Sequence, residues 1–152
     1  MKSKIFIPAL AIFLLFIMGA YFLINPSYEK SLRAKYYYEV GEYKEAYSLA
    51  KEAFSIDIYN RMAATIMTQS QTSLKYVSYI EDAQKYMQII DEIALKENIS
   101  DGDRAKISMM CNIMLSAYIK LAPSVITDED LVKRSAEYHS KFEKLLEKVT
   151  TN

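Results

Sequence analysis

From Ile5 to Ile24 the chain runs for twenty residues without a charge, nearly all of them apolar (IFIPALAIFLLFIMGAYFLI). About that many residues are needed for a helix to cross the ~30 Å hydrocarbon core of a bilayer. Pro8 falls in the first turns of this helix, where its missing N–H costs least. Asn25-Pro26 then breaks it, because a residue before proline is pushed out of the α region. Beyond the break the apolar residues recur at three- and four-residue steps, the period of a helix with one buried face.

Five predicted breaks divide that stretch. Gly41 suits a left-handed position closing one helix before Tyr43 opens the next, in which Tyr43, Ala46, Tyr47, Ala50, Ala53 and Phe54 form the inner stripe. A third helix starts near Tyr59 with Met62, Ile66 and Met67. The polar run Thr68–Ser73 (TQSQTS) predicts its frayed end and a turn, and periodicity resumes with Tyr79, Ala83, Tyr86, Met87, Ile90 and Ala94. ENISDGD (Glu97–Asp103) is a loop with Ser100 or Asp101 as N-cap. The next helix carries Ile107, Met110, Cys111, Met114, Ala117, Tyr118 and Leu121 inward and stops at Pro123. Thr127 with Asp128–Asp130 caps the last helix, where Leu131, Ser135, Tyr138, Phe142, Leu145 and Val149 mark the inner face. The expectation is an all-α chain: a membrane segment over residues 1–25, then a helical domain over 26–152 with hairpins at about 27–57, 59–97 and 101–149.

Lys2 and Lys4 before an apolar run also describe a secretory signal, but the cleavage signal is poor: Ala9-Leu10-Ala11 lies inside the run, and Met18 is bulky where a small residue is wanted. An uncleaved single-pass anchor is expected. Lys2 and Lys4 on one side face Lys30, Arg33 and Lys35 on the other. The expected arrangement is a cytoplasmic amino terminus and an outside body.

Tyr37, Gly41, Tyr43, Glu45-Ala46, Ala53-Phe54, Ile56-Asp57 and Asn60 together resemble a tetratricopeptide repeat, a 34-residue helical hairpin that stacks into a solenoid. The match covers residues 27 to 60, and Ala34 fits the small position of the repeat's first helix. Lys30, Arg33 and Ile58 depart from the pattern, the last replacing the usual closing proline. The resemblance implies a short solenoid of about three hairpins, with Tyr37, Gly41, Tyr43, Ala46 and Ala53 as packing residues. It also implies a groove for a peptide segment or helix of a protein partner, faced by Lys35, Tyr38, Thr65 and Gln69. Lys35 stands where relatives that clamp a terminal carboxylate carry asparagine, so that specificity is not expected.

Composition narrows the chemistry. Acids and bases are equal at 19 each and interspersed, which argues against nucleic acid as the main partner. The single cysteine excludes an intrachain disulfide. One histidine, His139, no Gly-rich phosphate loop and no metal-ligand spacing give no catalytic constellation. No enzyme activity, small-molecule substrate or cofactor is expected, and Asp128–Asp130 is explained by a helix N-terminus rather than a calcium site. Asn98-Ile99-Ser100 is a formal glycosylation sequon. Eight methionines and thirteen tyrosines are core filler at helical spacing, although Tyr36, Tyr37 and Tyr38 cannot all face inward, and Tyr38 is expected toward groove or solvent. The Lys-, Ile- and Tyr-rich, Gly-poor composition reads as bacterial. The functional expectation is an inner-membrane scaffold protein, body in the periplasm, that helps assemble an envelope complex for secretion, division or motility. The alternative is a membrane-tethered chaperone or receptor for exported clients.

Overall fold

The computed structural model describes residues 3–122 and 127–151, side chains at 3–5, 22 and 23 excepted. Every regular element among them is an α-helix: α1 (Ser3–Ile24), α2 (Pro26–Glu39), α3 (Tyr43–Ile56), α4 (Arg61–Ala94), α5 (Asp101–Ile119) and α6 (Glu129–Thr151). The expected stop at Pro123 lies outside the described residues. The chain forms two compact units, Met1–Gln71 and Thr72–Asn152.

In the first unit, Asn25 ends α1 and caps α2: its side chain accepts a hydrogen bond from Ser27 N at 3.0 Å, and Pro26 occupies the first helical turn. Gly41 adopts φ +84° between α2 and α3, a conformation that glycine reaches without a Cβ clash. The fully buried Ala34, Ala46 and Ala50 pack with Leu49 and Ile66. These short side chains leave Tyr37, Tyr38, Met62 and Met67 to close the rim of the cluster.

Beneath that cluster lies a buried polar network that periodicity does not reveal. Asn60 Nδ2 donates to Ser27 Oγ at 2.9 Å and Ser31 Oγ at 3.2 Å, and Ala63 N donates to Asn60 Oδ1 at 3.1 Å. The serine hydroxyls pass their own protons on, Ser27 to Ala53 O at 2.8 Å and Ser31 to Tyr28 O at 3.0 Å. Every member is satisfied, which burial of such groups requires. Asn60 thus caps α4 while tying it to α2 and α3.

The turn expected at Thr68–Ser73 is absent. Residues 61–94 form one helix of 34 residues, so the hairpin expected at 59–97 is replaced by a single helix, and among the described residues five helices, not six, follow α1. Polar composition alone does not end a helix when neither glycine nor proline intervenes, and none occurs between Gly41 and Gly102. Thr68 Oγ1 bonds back to Ala64 O at 3.0 Å, and Ser70 and Ser73 are fully buried on the inner side.

The second unit packs α5 against α6 with the later part of α4. Ile107, Met110, Cys111 and Met114 are buried as the spacing predicts, as are Leu131, Ser135 and Phe142, while Tyr138, Leu145 and Val149 are half-buried. On α4, Tyr76, Tyr79, Ile80, Ala83, Ile90 and Ile93 are buried, whereas Ala94 is exposed. Ser100 accepts from Asp103 N at 3.1 Å and Asp103 answers to Ser100 N at 3.3 Å, a reciprocal cap for α5. At α6, Asp128 Oδ1 accepts from the first turn, from Asp130 N at 2.9 Å.

The described side chains of α1 are apolar and mostly exposed: Phe6, Ile7, Phe16 and Ile24 are each more than two-thirds accessible. Among the described residues no single helix is long and apolar enough to cross a membrane. Phe6–Tyr21 and Pro26–Glu39, bent by 78°, pass such a test of length and composition only together.

Candidate functional site: a cleft between α2 and α4

Between α2 and the start of α4, which the Asn60 network ties together, lies a cleft of 420 Å³. Lys35, Tyr38 and Glu39 come from α2, and Arg61, Met62, Thr65, Ile66 and Gln69 from α4. All four residues expected to face a groove, Lys35, Tyr38, Thr65 and Gln69, line it together. Their spacing explains this: 35 and 38–39 lie one turn apart on α2, and 61–62, 65–66 and 69 follow one stripe of α4.

The floor is apolar, with buried Ile66 and half-buried Met62. One wall carries Tyr38, whose ring meets Tyr43 edge-on at 5.4 Å between centroids, an arrangement that fixes an aromatic side chain. Lys35 Nζ lies 3.6 Å from Glu39 Oε1, so that pair is locally neutral. Arg61 is exposed and has no carboxylate partner among the described residues. The cleft therefore offers an apolar floor, uncharged hydrogen-bonding groups on Thr65 and Gln69, and one uncompensated cation.

Tyr43, Ala46 and Ala53 are buried, Tyr37 is half-buried, and Gly41 makes the turn. Of the three successive tyrosines, Tyr36 is the one turned to solvent, at 62% exposure, and Tyr38 is half-buried in the cleft wall. Glu39, Arg61, Met62 and Ile66 were not assigned to the groove from sequence. Extending the three- and four-residue steps from Thr65 would have found the last three.

Burial raises the Cys111 thiol above its ordinary pKa, which lowers its thiolate content and reactivity. His139 stacks at 4.2 Å from the Tyr118 ring, and its Nδ1 lies 3.6 Å from Glu143. Among the described residues no group of three or more His, Cys, Asp or Glu is placed to hold a metal ion. A second depression, 540 Å³ along α5, is lined by Met109, Asn112, Ile113, Ser116, Ala117 and Lys120. No family model, no curated protein and no solved structure matches the chain.

Proposed function

We propose that the protein is a membrane-anchored adaptor of the tetratricopeptide-like kind, which spans a bacterial inner membrane through α1 and holds a segment of a protein partner in the α2–α4 cleft. The observation that carries the reading is the convergence of Lys35, Tyr38, Thr65 and Gln69 over the floor of Met62 and Ile66. A fixed aromatic, neutral donors and acceptors and a dry floor are the usual means of seating a peptide. The anchor is supported by the uncharged, largely apolar run Ile5–Ile24 and by the exposure of Phe6, Ile7, Phe16 and Ile24, which favours an apolar solvent around α1. The body lies on the periplasmic side and serves assembly of an envelope complex.

The test is a photo-cross-linking residue placed at Tyr38 or Gln69 in cells. One partner in fixed proportion, lost when Lys35 and Met62 are changed to glutamate and lysine, supports the adaptor. A broad set of exported proteins supports a tethered chaperone instead, and no cross-link at either position rejects the cleft. Orientation is read with Lys148→Cys, exposed on α6: labelling of intact cells by an impermeant thiol reagent is expected, and its absence reverses the topology.

A further inference from the structure

The corner joining α3 to α4 is built unlike an ordinary turn. Asn60 N donates to Asp57 O at 3.1 Å, which makes residues 57–60 a β-turn with Ile58 and Tyr59 at its two central positions. Small and polar residues normally hold those positions because they are bathed in water. Here Ile58 is 61% and Tyr59 85% exposed, and Ile56, just before the turn, is 52% exposed. The turn's only acid is occupied locally, with Asp57 Oδ1 accepting from Tyr59 N at 2.9 Å. Nothing in the turn's backbone demands large apolar side chains, so their reason lies outside it.

The same corner adjoins the end of α1. Ile56 shares an apolar depression of 360 Å³ with Tyr21 and Ile24 from the last turn of α1 and with Asn25 and Pro26 after it. Tyr21 and Ile24 are themselves exposed, at 61% and 79%. The helix end and Ile56 thus share one apolar depression, and the exposed Ile58 and Tyr59 follow two and three residues later in the turn. Tyrosine with an apolar body and a wet hydroxyl is the side chain favoured at the headgroup level of a bilayer.

We propose that Ile56, Ile58 and Tyr59 dip into the boundary between headgroups and acyl chains beside the end of α1, so that the first unit rests on the lipid surface by two contacts. This rests on the reading of α1 as a span. The occupant is lipid and not another protein, because Ile56 shares its apolar depression with the exposed end of α1, the segment read as the span. A second contact also fixes how the α2–α4 cleft faces the membrane, which a single flexible attachment would not.

The chain contains no tryptophan, so one introduced residue reports alone. Full-length Phe13→Trp, Ile58→Trp and Tyr59→Trp are reconstituted in phosphatidylcholine–phosphatidylglycerol vesicles, with and without lipids brominated near the headgroup end of the acyl chain. The expected result is blue-shifted emission for all three, with loss of emission to the bromolipid at 58 and 59 and protection from aqueous iodide. Lipid-shielded Phe13→Trp with water-exposed, iodide-quenched tryptophan at both 58 and 59 overturns the corner contact while leaving the span intact. Water-exposed Phe13→Trp overturns the span, and with it the two-contact arrangement. Substitution at an exposed turn tip leaves the helices unchanged, which far-ultraviolet dichroism of each variant verifies.

Discussion

Removing the side chain of Asn60 should open the first unit more than any surface change. In Asn60→Ala the cap on Ala63 N is lost, at about 1 kcal/mol. Two buried hydrogen bonds, to Ser27 Oγ and Ser31 Oγ, disappear at roughly 0.5–1 kcal/mol each, because both hydroxyls keep the carbonyls to which they donate. The sum is about 2–3 kcal/mol, equivalent to a rise of roughly 30- to 150-fold in the opening equilibrium. Amide hydrogen exchange of the full chain in detergent, read by mass spectrometry over α2 and α3, measures that equilibrium locally. Asn112→Ala is the control, since its amide bonds Ser108 O at an exposed position. The direction of the amide sharpens the test. Ser27 and Ser31 have already spent their protons on carbonyls, so Asn60→Asp presents a carboxylate to oxygen atoms that cannot donate without abandoning those bonds. Ala63 N still donates to the new acid and favours its charged form, but full burial beside two oxygens outweighs that one bond, so its folded pKa is raised above its unfolded value near 4. Its protonated form is favoured by folding, so the variant is relatively most stable below that value and loses stability as pH rises through the folded pKa. Exchange in Asn60→Ala within about threefold of the Asn112→Ala control, or an Asn60→Asp variant that grows more stable with rising pH, would refute the network.

Four further outcomes follow from the same geometry. Tyr79 is buried with no hydrogen-bond partner for its hydroxyl among the described residues, and burial pushes its pKa to about 12; Tyr79→Phe should leave stability unchanged or raise it by about 1 kcal/mol in thermal unfolding, and a loss of that size would reveal a missing partner. Hydrogen bonds from Lys96 and Ser100 hold Asp103 down at about 2, so its contribution is complete above the unfolded value near 4 and fades as pH falls from there toward 2; Lys96→Met should raise the Asp103 pKa seen by carboxyl NMR, and an unmoved value would break the assignment. Gly41→Ala should cost about 1 kcal/mol from its left-handed backbone alone, since no atom lies within 4 Å of the added Cβ; a neutral result in urea unfolding would mean that the turn relaxes. Cys111 should stay unlabelled by thiol reagents in the folded protein and react after denaturation, and rapid native labelling would contradict its burial.

Apolar spacing made the helices legible but not their joints. The hairpin around Gly41 and the inner faces of α5 and α6 follow from periodicity, because a repeat of 3.6 residues has one packing solution. Two joints were set by groups that periodicity does not weigh. At Thr68–Ser73 buried serines, small enough to sit on an inner face, let α4 run on where polarity predicted a turn. At Asn60 a single amide set the start of α4 at Arg61. The cleft was half legible. Lys35 and Tyr38 of its α2 wall and two α4 positions came from the repeat resemblance, whereas Glu39 did not, and Arg61, Met62 and Ile66 entered because α4 begins where Asn60 caps it.

The short connection between α1 and α2 limits what the proposed partner can be. A capped break at Asn25 leads straight into α2, so Lys35 and Tyr38 lie nine and twelve residues after Pro26, about 14 and 18 Å along the helix. No flexible linker intervenes, and the Asn60 network locks α4 alongside. Whatever angle α2 takes to the bilayer, the near wall of the cleft stays within roughly 20 Å of the end of α1. If α1 spans the membrane and the cleft holds a segment as proposed, a partner that is itself held at the membrane is favoured over one in the bulk compartment. A partner diffusing free in the compartment would gain nothing from this tether. A membrane-held partner gains effective concentration from confinement to the same layer, so that a cleft of modest size with one unpaired cation is sufficient to hold it.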